Sequence, residues 1–319
     1  MNVIITDHSY EDINQEKEII KNFGAKLAVY ACKTEEDVIK CTTEADIIIC
    51  QFAPITKKVI DNLKECKAII RYAVGVDNID VDAATKKGIH VCNVPDYGTE
   101  EVALHTVSLI LSLIRKLPIQ QKASRQGKWT YKETKPIHRL RGQTLGLVGF
   151  GRIPRYVAKL MKEFEVQILI HDPFIDNNEI KMLGYNSGSL TELFEKSNII
   201  SIHVPLSKQT HHLIDKNLFN ITQKNPYIVN TSRGGIINEK DLLEAFLENK
   251  ISGIALDVSE TEPMGIDNPL LKYDQIIVTP HSAWYSEESI EALQRSVAEE
   301  AIRILSGDAP KNSVNKFKL

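Results

Sequence analysis

The sequence predicts an α/β protein of two domains, and three observations carry that reading. Short β-rich runs alternate with helical patterns along the whole chain, the signature of parallel sheets built from βαβ units. The 319 residues, at about 150 per domain, supply two separate cores. Apolar residues make 43% and charged residues 25%, a globular balance that excludes a disordered or fibrous chain.

The first series of strands falls at residues 3–5, 27–31, 46–50, 68–71 and 89–92, separated by amphipathic stretches such as 11–23, and makes a small five-stranded unit. A long helical pattern at about 99–117 follows, then a polar segment through Arg141 with little periodicity; these read as a hinge helix and an excursion. The second series occupies 144–149, 167–171, 199–203, 227–230, 253–257 and 275–279, and six strands with helices between them suit a dinucleotide-binding fold. The last long helix, about 286–305, is expected to cross back to the first domain. The expected domains are therefore 1–98 plus 286–319, discontinuous, and 99–285.

Composition excludes several function classes. With 39 basic and 42 acidic residues the net charge is -3, and no basic block offers a line of phosphates its counter-charge, so nucleic acid is not an expected partner. No apolar stretch reaches the roughly 18 residues of a membrane span, and the chain opens directly on the strand Val3-Ile4-Ile5 without a basic leader; a cytoplasmic protein is expected. Five cysteines, Cys32, Cys41, Cys50, Cys66 and Cys92, include no Cys-x-x-Cys pair and read as reduced, mostly buried thiols, with no metal site.

A cofactor signal stands at the end of the first strand of the second series. Gly149 and Gly151 in Gly149-Phe150-Gly151-Arg152-Ile153-Pro154 let the backbone turn tightly and approach a pyrophosphate, which the following helix N-terminus favours. Pro154 takes the place of the third fingerprint glycine; proline suits a first helical turn but adds bulk where helix meets strand. Asp172 closes the next strand, 21 residues after Gly151, where a carboxylate accepts ribose hydroxyls and repels a 2′-phosphate, favouring NAD over NADP.

Three later strands end in polar residues where a doubly wound sheet presents its ligand crevice. Arg233, in Thr231-Ser232-Arg233-Gly234-Gly235, offers a planar fork matched to a carboxylate. Glu262 before Pro263 and His281 after Pro280 can form a carboxylate–imidazole pair. Hydride delivered to a ketone carbon leaves charge on oxygen, so the reaction needs a proton donor and a nearby cation. A carboxylate on the far imidazole nitrogen favours the charged ring and fixes its orientation.

These residues bring a family into view: the chain resembles the D-isomer-specific 2-hydroxyacid dehydrogenases over essentially its whole length. The resemblance rests on Val74-Gly75-Val76-Asp77-Asn78-Ile79-Asp80, Asn93-Val94-Pro95 with Thr99-Glu100-Glu101-Val102-Ala103, Gly149-Phe150-Gly151-Arg152-Ile153, His203-Val204-Pro205-Leu206, Asn230-Thr231-Ser232-Arg233-Gly234, Ala255-Leu256-Asp257-Val258 and Thr279-Pro280-His281. It implies a Rossmann domain of six or more strands and a smaller flavodoxin-like parallel-sheet substrate domain, with the active site between them. It also implies a catalytic trio of Arg233, Glu262 and His281, with the substrate carboxylate held by backbone near Val74 and Gly75. Val102, Arg152, Ile153, Asp172, Val204, Pro205, Thr231, Ser232, Asp257 and His281 would contact NAD. A homodimer is implied, with the excursion around Gly127-Lys128-Trp129 packing on the partner.

Within the family, His281-Ser282-Ala283-Trp284-Tyr285-Ser286-Glu287 is similar to the branch of the C-terminal-binding proteins, which places Trp284 as an apolar wall or as core filling. In that branch Arg71 is a second substrate cation or, alternatively, a surface salt-bridge partner. Pro154 and Ala73 depart from the pattern, and an end at Leu319 leads us to expect no appended regulatory domain and no control by serine. The function expected is reversible NAD(H)-dependent reduction of a 2-oxo acid to a D-2-hydroxy acid. A corepressor-like NAD(H) sensor with little turnover is the alternative. Among enzymes, a formate or phosphite dehydrogenase is a further possibility, and the carboxylate at Glu262 speaks against formate oxidation.

Overall fold

The computed structural model describes residues 1–317. The chain divides into two compact units, Met1–Gly98 with Ser286–Leu319, and Thr99–Tyr285.

In the first unit β1 (Asn2–Ile5), α1 (Asn14–Phe23), β2 (Lys26–Val29), α2 (Glu35–Thr42), β3 (Ile47–Cys50), α3 (Lys57–Asn62), β4 (Ala68–Arg71), α4 (Val81–Lys86) and β5 (His90–Cys92) alternate. The sheet is parallel with order β2-β1-β3-β4-β5, the flavodoxin-like arrangement. Its inner strand β3 reads Ile-Ile-Ile-Cys and is buried on both faces, as helices on each side of a parallel sheet require. A helix from the far end of the chain, Glu287–Leu305, starts at a Ser286/Ser289 capping box and packs on α1 and β4.

The second unit opens with α5 (Thr99–Ile114) and α6 (Leu117–Arg125). Then come β6 (Thr144–Val148), α7 (Arg152–Lys162), β7 (Gln167–His171), α8 (Asn177–Met182), β8 (Asn186–Ser187), α9 (Leu190–Lys196), β9 (Ile199–Ile202), α10 (Lys216–Asn220), β10 (Tyr227–Asn230), α11 (Glu239–Leu247), β11 (Gly253–Leu256) and β12 (Ile276–Val278). The helix Glu287–Leu305 completes the series as α12. The parallel order β12-β11-β10-β9-β6-β7-β8 reverses direction between β6 and β9, and apolar clusters cover both faces. Such a reversal opens a crevice at the carboxyl ends of the strands.

One expectation needs correction, and another, a sheet of six or more strands, is met and made exact. The stretch after 114 is not without structure: Lys116 turns the chain in the left-handed region (φ 53°), and α6 begins behind it with Pro118 in its first turn. The sheet also has a seventh strand, β8, whose two polar residues carry no alternation to read. Pro154 is buried in the first turn of α7, where its missing N–H costs no helical bond. Close helix–sheet approach falls instead at Gly146 on β6, where a Cβ would lie 2.5 Å from Ser197 Oγ and 2.6 Å from Leu193 Cδ2. Among the described residues, no single helix is long and apolar enough to cross a membrane.

One carboxylate in the first unit is out of place energetically. Glu16 is fully buried on α1; Tyr72 donates its hydroxyl to Oε1 at 2.7 Å, while Oε2 makes no hydrogen bond. Burial pushes the Glu16 carboxyl up, against the opposing pull of the Tyr72 hydroxyl. The folded state therefore binds this proton more tightly than the unfolded chain does, and the contribution of Glu16 to stability falls as pH rises above the ordinary value of 4.5 through the raised one. Glu16→Gln, which keeps an acceptor for Tyr72, is expected to raise the denaturation midpoint at pH 8 and to converge on the parent at pH 4. Chemical denaturation at both pH values checks this, and an equal midpoint difference at the two would contradict it.

Candidate active site

The carboxyl ends of β6, β7, β9, β10, β11 and β12 carry most of the polar residues expected in the second unit. At the tip of β6, Gly149 has φ 94°, and a Cβ there would lie 2.9 Å from the His203 carbonyl, so this turn admits only glycine. Gly151 is the N-cap of α7, with no side-chain cap and nothing within 4 Å of an ideal Cβ. The first N–H groups of α7 thus face an open cradle suited to a phosphate. Asp172 accepts from Phe150 N at 2.8 Å through Oδ2 and from Phe174 N at 2.9 Å through Oδ1, leaving each oxygen a lone pair for a hydroxyl. Arg155, which sequence reasoning missed, braces the same turn by donating Nε to the Phe150 carbonyl at 3.1 Å and stacking over that ring.

The turn after β10 is held by its own side chains. Asn230 Oδ1 accepts from Ser232 N at 3.0 Å and its Nδ2 donates to the Arg233 carbonyl at 2.9 Å. Ser232 Oγ donates to the Ile202 carbonyl at 2.6 Å, and Thr231 Oγ1 lies 2.9 Å from Thr106 Oγ1. Both hydroxyls are therefore in bonds within the unit. Val102 is half-buried on α5, Val204 packs beside Gly149, Arg152 is exposed at the start of α7, and Ile153 packs on the core behind it. The Pro205 carbonyl accepts from Thr210 Oγ1 at 2.6 Å.

Asp257, at the end of β11, is 1% exposed and accepts from Thr279 Oγ1 (2.6 Å), Ser282 N (3.0 Å) and Ala283 N (2.9 Å). His105 Nε2 stands 3.1 Å from Thr279 Oγ1 and joins this group. The Asp257 carbonyl accepts from His281 N at 2.8 Å, and Trp284 Nε1 donates to the His281 carbonyl at 2.9 Å. These bonds hold His281 at φ 51°, a region a histidine rarely adopts, which is why so many partners surround one turn.

His281 Nδ1 is 2.7 Å from Glu262 Oε2, and Glu262 Oε1 accepts from Ser259 N at 3.0 Å. The His281 side chain is 41% exposed and that of Glu262 39%, so the ring keeps Nε2 for an incoming group. Burial pushes the Glu262 carboxyl up, but the His281 hydrogen bond, the Ser259 N–H and the charges of His281 and Arg233 outweigh it and hold the carboxyl below its usual range. Arg233 Nη1 donates to the Ser232 carbonyl at 2.7 Å. An imidazole backed by a carboxylate, with a guanidinium whose charge reaches that carboxylate, is equipped to pass a proton to an oxygen.

In the first unit, Arg71 donates Nε to the Gln51 carbonyl at 3.1 Å and lies 3.4 Å from Asp77 Oδ2, with its side chain 12% exposed. The Arg71 side chain is itself largely buried, whereas that of its partner Asp77 is 40% exposed. Val74 is exposed; its carbonyl accepts from Asn93 Nδ2, and Gly75 follows it in the same loop. Sequence reasoning also missed His105, Thr106 and Ser259, because a hydroxyl or imidazole that acts through another residue leaves no spacing signature of its own.

Comparison with known proteins gives the chain its relatives. The family model described as "D-isomer specific 2-hydroxyacid dehydrogenase, NAD binding domain" matches residues 107–283. The chain is 37% identical over 292 residues to a glyoxylate reductase of Thermofilum pendens, covering 89% of this chain and 85% of that protein. It is 38% identical over 314 residues to a D-3-phosphoglycerate dehydrogenase of Methanocaldococcus jannaschii, covering 98% of this chain. It spans 59% of the length of that protein, and 58% of the corresponding enzyme of Archaeoglobus fulgidus. Among solved structures, a D-lactate dehydrogenase from Aquifex aeolicus complexed with NAD and lactic acid superposes with a TM-score of 0.88 at 30% identity, covering 96% of each chain.

Gly234 supplies a test of the local packing. A Cβ there would fall 1.9 Å from the Ser259 carbonyl carbon and 2.3 Å from Glu260 N, all backbone. Gly234→Ala is expected to cost about 1–3 kcal/mol by overpacking, read as a lowered denaturation midpoint, whereas Gly151→Ala, which meets no atom within 4 Å and changes only a helix N-cap, lowers it less. Equal midpoints for Gly234→Ala and the parent would show that the loop is not seated on this glycine.

Proposed function

The chain belongs to the D-isomer-specific 2-hydroxyacid dehydrogenase family, and from that premise we propose that it interconverts a 2-oxo acid and a D-2-hydroxy acid with NAD(H), with His281 as acid and base. The observation that carries this reading is the 2.7 Å contact between His281 Nδ1 and Glu262 Oε2 beside the Arg233 charge. NAD(H) gives or takes the hydride when bound. The uncapped amides of α7 would hold its pyrophosphate and Asp172 its ribose, where the carboxylate also repels a 2′-phosphate.

The residues of the chain divide the remaining work. Glu262 stabilises the imidazolium and orients the ring, so that Nε2 gives its proton to the carbonyl oxygen during reduction and takes the hydroxyl proton during oxidation. Arg233 offers positive charge to the substrate carboxylate and to the developing alkoxide. Asp257 and Trp284 act one step back, by fixing the turn on which His281 sits. We propose Val74 and Gly75 as further substrate contacts and Arg71 as a second cation, with the 99–285 unit serving the nucleotide and the other the substrate. Trp284 is the proposed apolar wall. A homodimer belongs to the same proposal; Trp129 and Tyr131, 95% and 68% exposed, are the aromatic surface a second copy would cover.

The test is loss of NADH absorbance with glyoxylate, pyruvate, hydroxypyruvate and bulkier aromatic oxo acids, and its gain with 3-phosphoglycerate and NAD, compared as specificity constants. At least one substrate is expected to turn over. His281→Ala should then lose about 10²–10⁴-fold in kcat while NADH affinity, measured by fluorescence titration, stays within about twofold. Undiminished turnover in His281→Ala would remove the assigned role. Cofactor binding without turnover on the whole panel would favour the sensor reading.

A further inference from the structure

We infer that Glu239 is a positioning residue that holds the Glu262 loop in register with His281; the inference rests on the acid–base reading just given. Glu239 is the first residue of α11, and its Oε1 accepts both Ser259 Oγ, at 2.8 Å, and Glu260 N, at 2.7 Å. Glu260 answers with its own Oε1, which takes a long bond from Glu239 N (3.4 Å) and lies 2.6 Å from His212 Nε2. The two acids thus clamp each other's backbone. Ser259, held by Glu239, is the residue whose N–H aims Glu262 Oε1, and Glu262 Oε2 then reaches His281. The chain of contacts runs Glu239, Ser259, Glu262, His281.

A simple helix cap does not account for Glu239. α11 is already capped by Asn238, whose Oδ1 accepts Asp241 N at 3.1 Å. The Glu239 carboxylate points instead into the loop, to two donors that no other acceptor serves among the hydrogen bonds of the described residues. Bringing Glu239 and Glu260 to one loop sets like charges together. His212 and the N-terminal end of α11 offset that repulsion, and His211 stacks on His212 at 4.0 Å. Underneath, Gly234, the residue after Arg233, lies directly against the Ser259–Glu260 backbone of the same loop.

The imidazole reports directly on this arrangement. Long-range ¹H–¹⁵N correlation spectra of the full chain, with the His281 signals assigned by their absence in His281→Gln, show which ring nitrogen carries the proton. In the parent, Nδ1 protonation is expected because that nitrogen donates to Glu262. Glu239→Ala should move the population toward Nε2 protonation and lower kcat ~10-fold with KM for the oxo acid changed less. Glu239→Gln, which keeps the acceptor oxygen, should restore most of both. If Glu239→Ala does not fold, Ser259→Ala removes one of the two contacts and should give an intermediate shift. Parent-like ring nitrogens and kcat in Glu239→Ala would overturn the inference. A parent whose neutral ring carries its proton on Nε2 instead of Nδ1, or a parent without turnover, would strike the acid–base reading itself, and the two failures are told apart by which protein shows them.

Discussion

The turn that carries His281 depends on one buried carboxylate. Asp257 is removed from water at the end of β11, and such a charge is tolerated only when hydrogen bonds replace its hydration. Thr279, Ser282 and Ala283 provide them, and in doing so they wrap the turn that carries His281 around a fixed point. The left-handed backbone of His281 follows from that wrapping, since bonds on both sides of the residue determine its φ. The backbone that carries the ring is thereby placed, and the bond from Glu262 then orients the ring itself.

Glu262 and Glu16 show how differently two half-satisfied or satisfied carboxylates behave. Glu262 is partly open, receives a backbone N–H and an imidazole, and feels two cations, so burial loses and the charged form wins. Glu16 receives one hydroxyl and lies entirely inside the first unit, so burial dominates. The balance between desolvation and the number of donors, rather than residue type, decides which acid is ready for ionic work.

Much of the fold was legible because parallel strands buried on both faces leave uninterrupted β-branched runs, as in Ile47–Cys50 and Ile199–Ile202. The ends of β9, β11 and β12 were read one residue long, since the polar residue that closes each belongs to the following loop, while those of β1, β3, β4, β5, β7 and β10 were read where they fall. The short polar β8 and the helix behind Lys116 gave no such pattern; pairing with β7 makes the first a strand, and Pro118 in its first turn starts the second. At the site, Gly149, Asp172, Arg233, Glu262 and His281 stood in motifs with chemical meaning. His105, Ser259 and Glu239 did not, because each acts on a neighbour distant in sequence and only folding creates the pairing, and Arg155 did not because a bond to a carbonyl within its own turn leaves no motif.

The discontinuity of the first unit has a consequence for biosynthesis. Residues 99–285 leave the ribosome as one uninterrupted block containing every strand of their sheet, whereas α1 and β4 emerge long before α12, which covers them. Vectorial emergence therefore lets the nucleotide-type fold close first, and leaves an apolar strip on the earlier-made half waiting for α12 to be made. A nascent chain stalled between those two points presents that strip to chaperones.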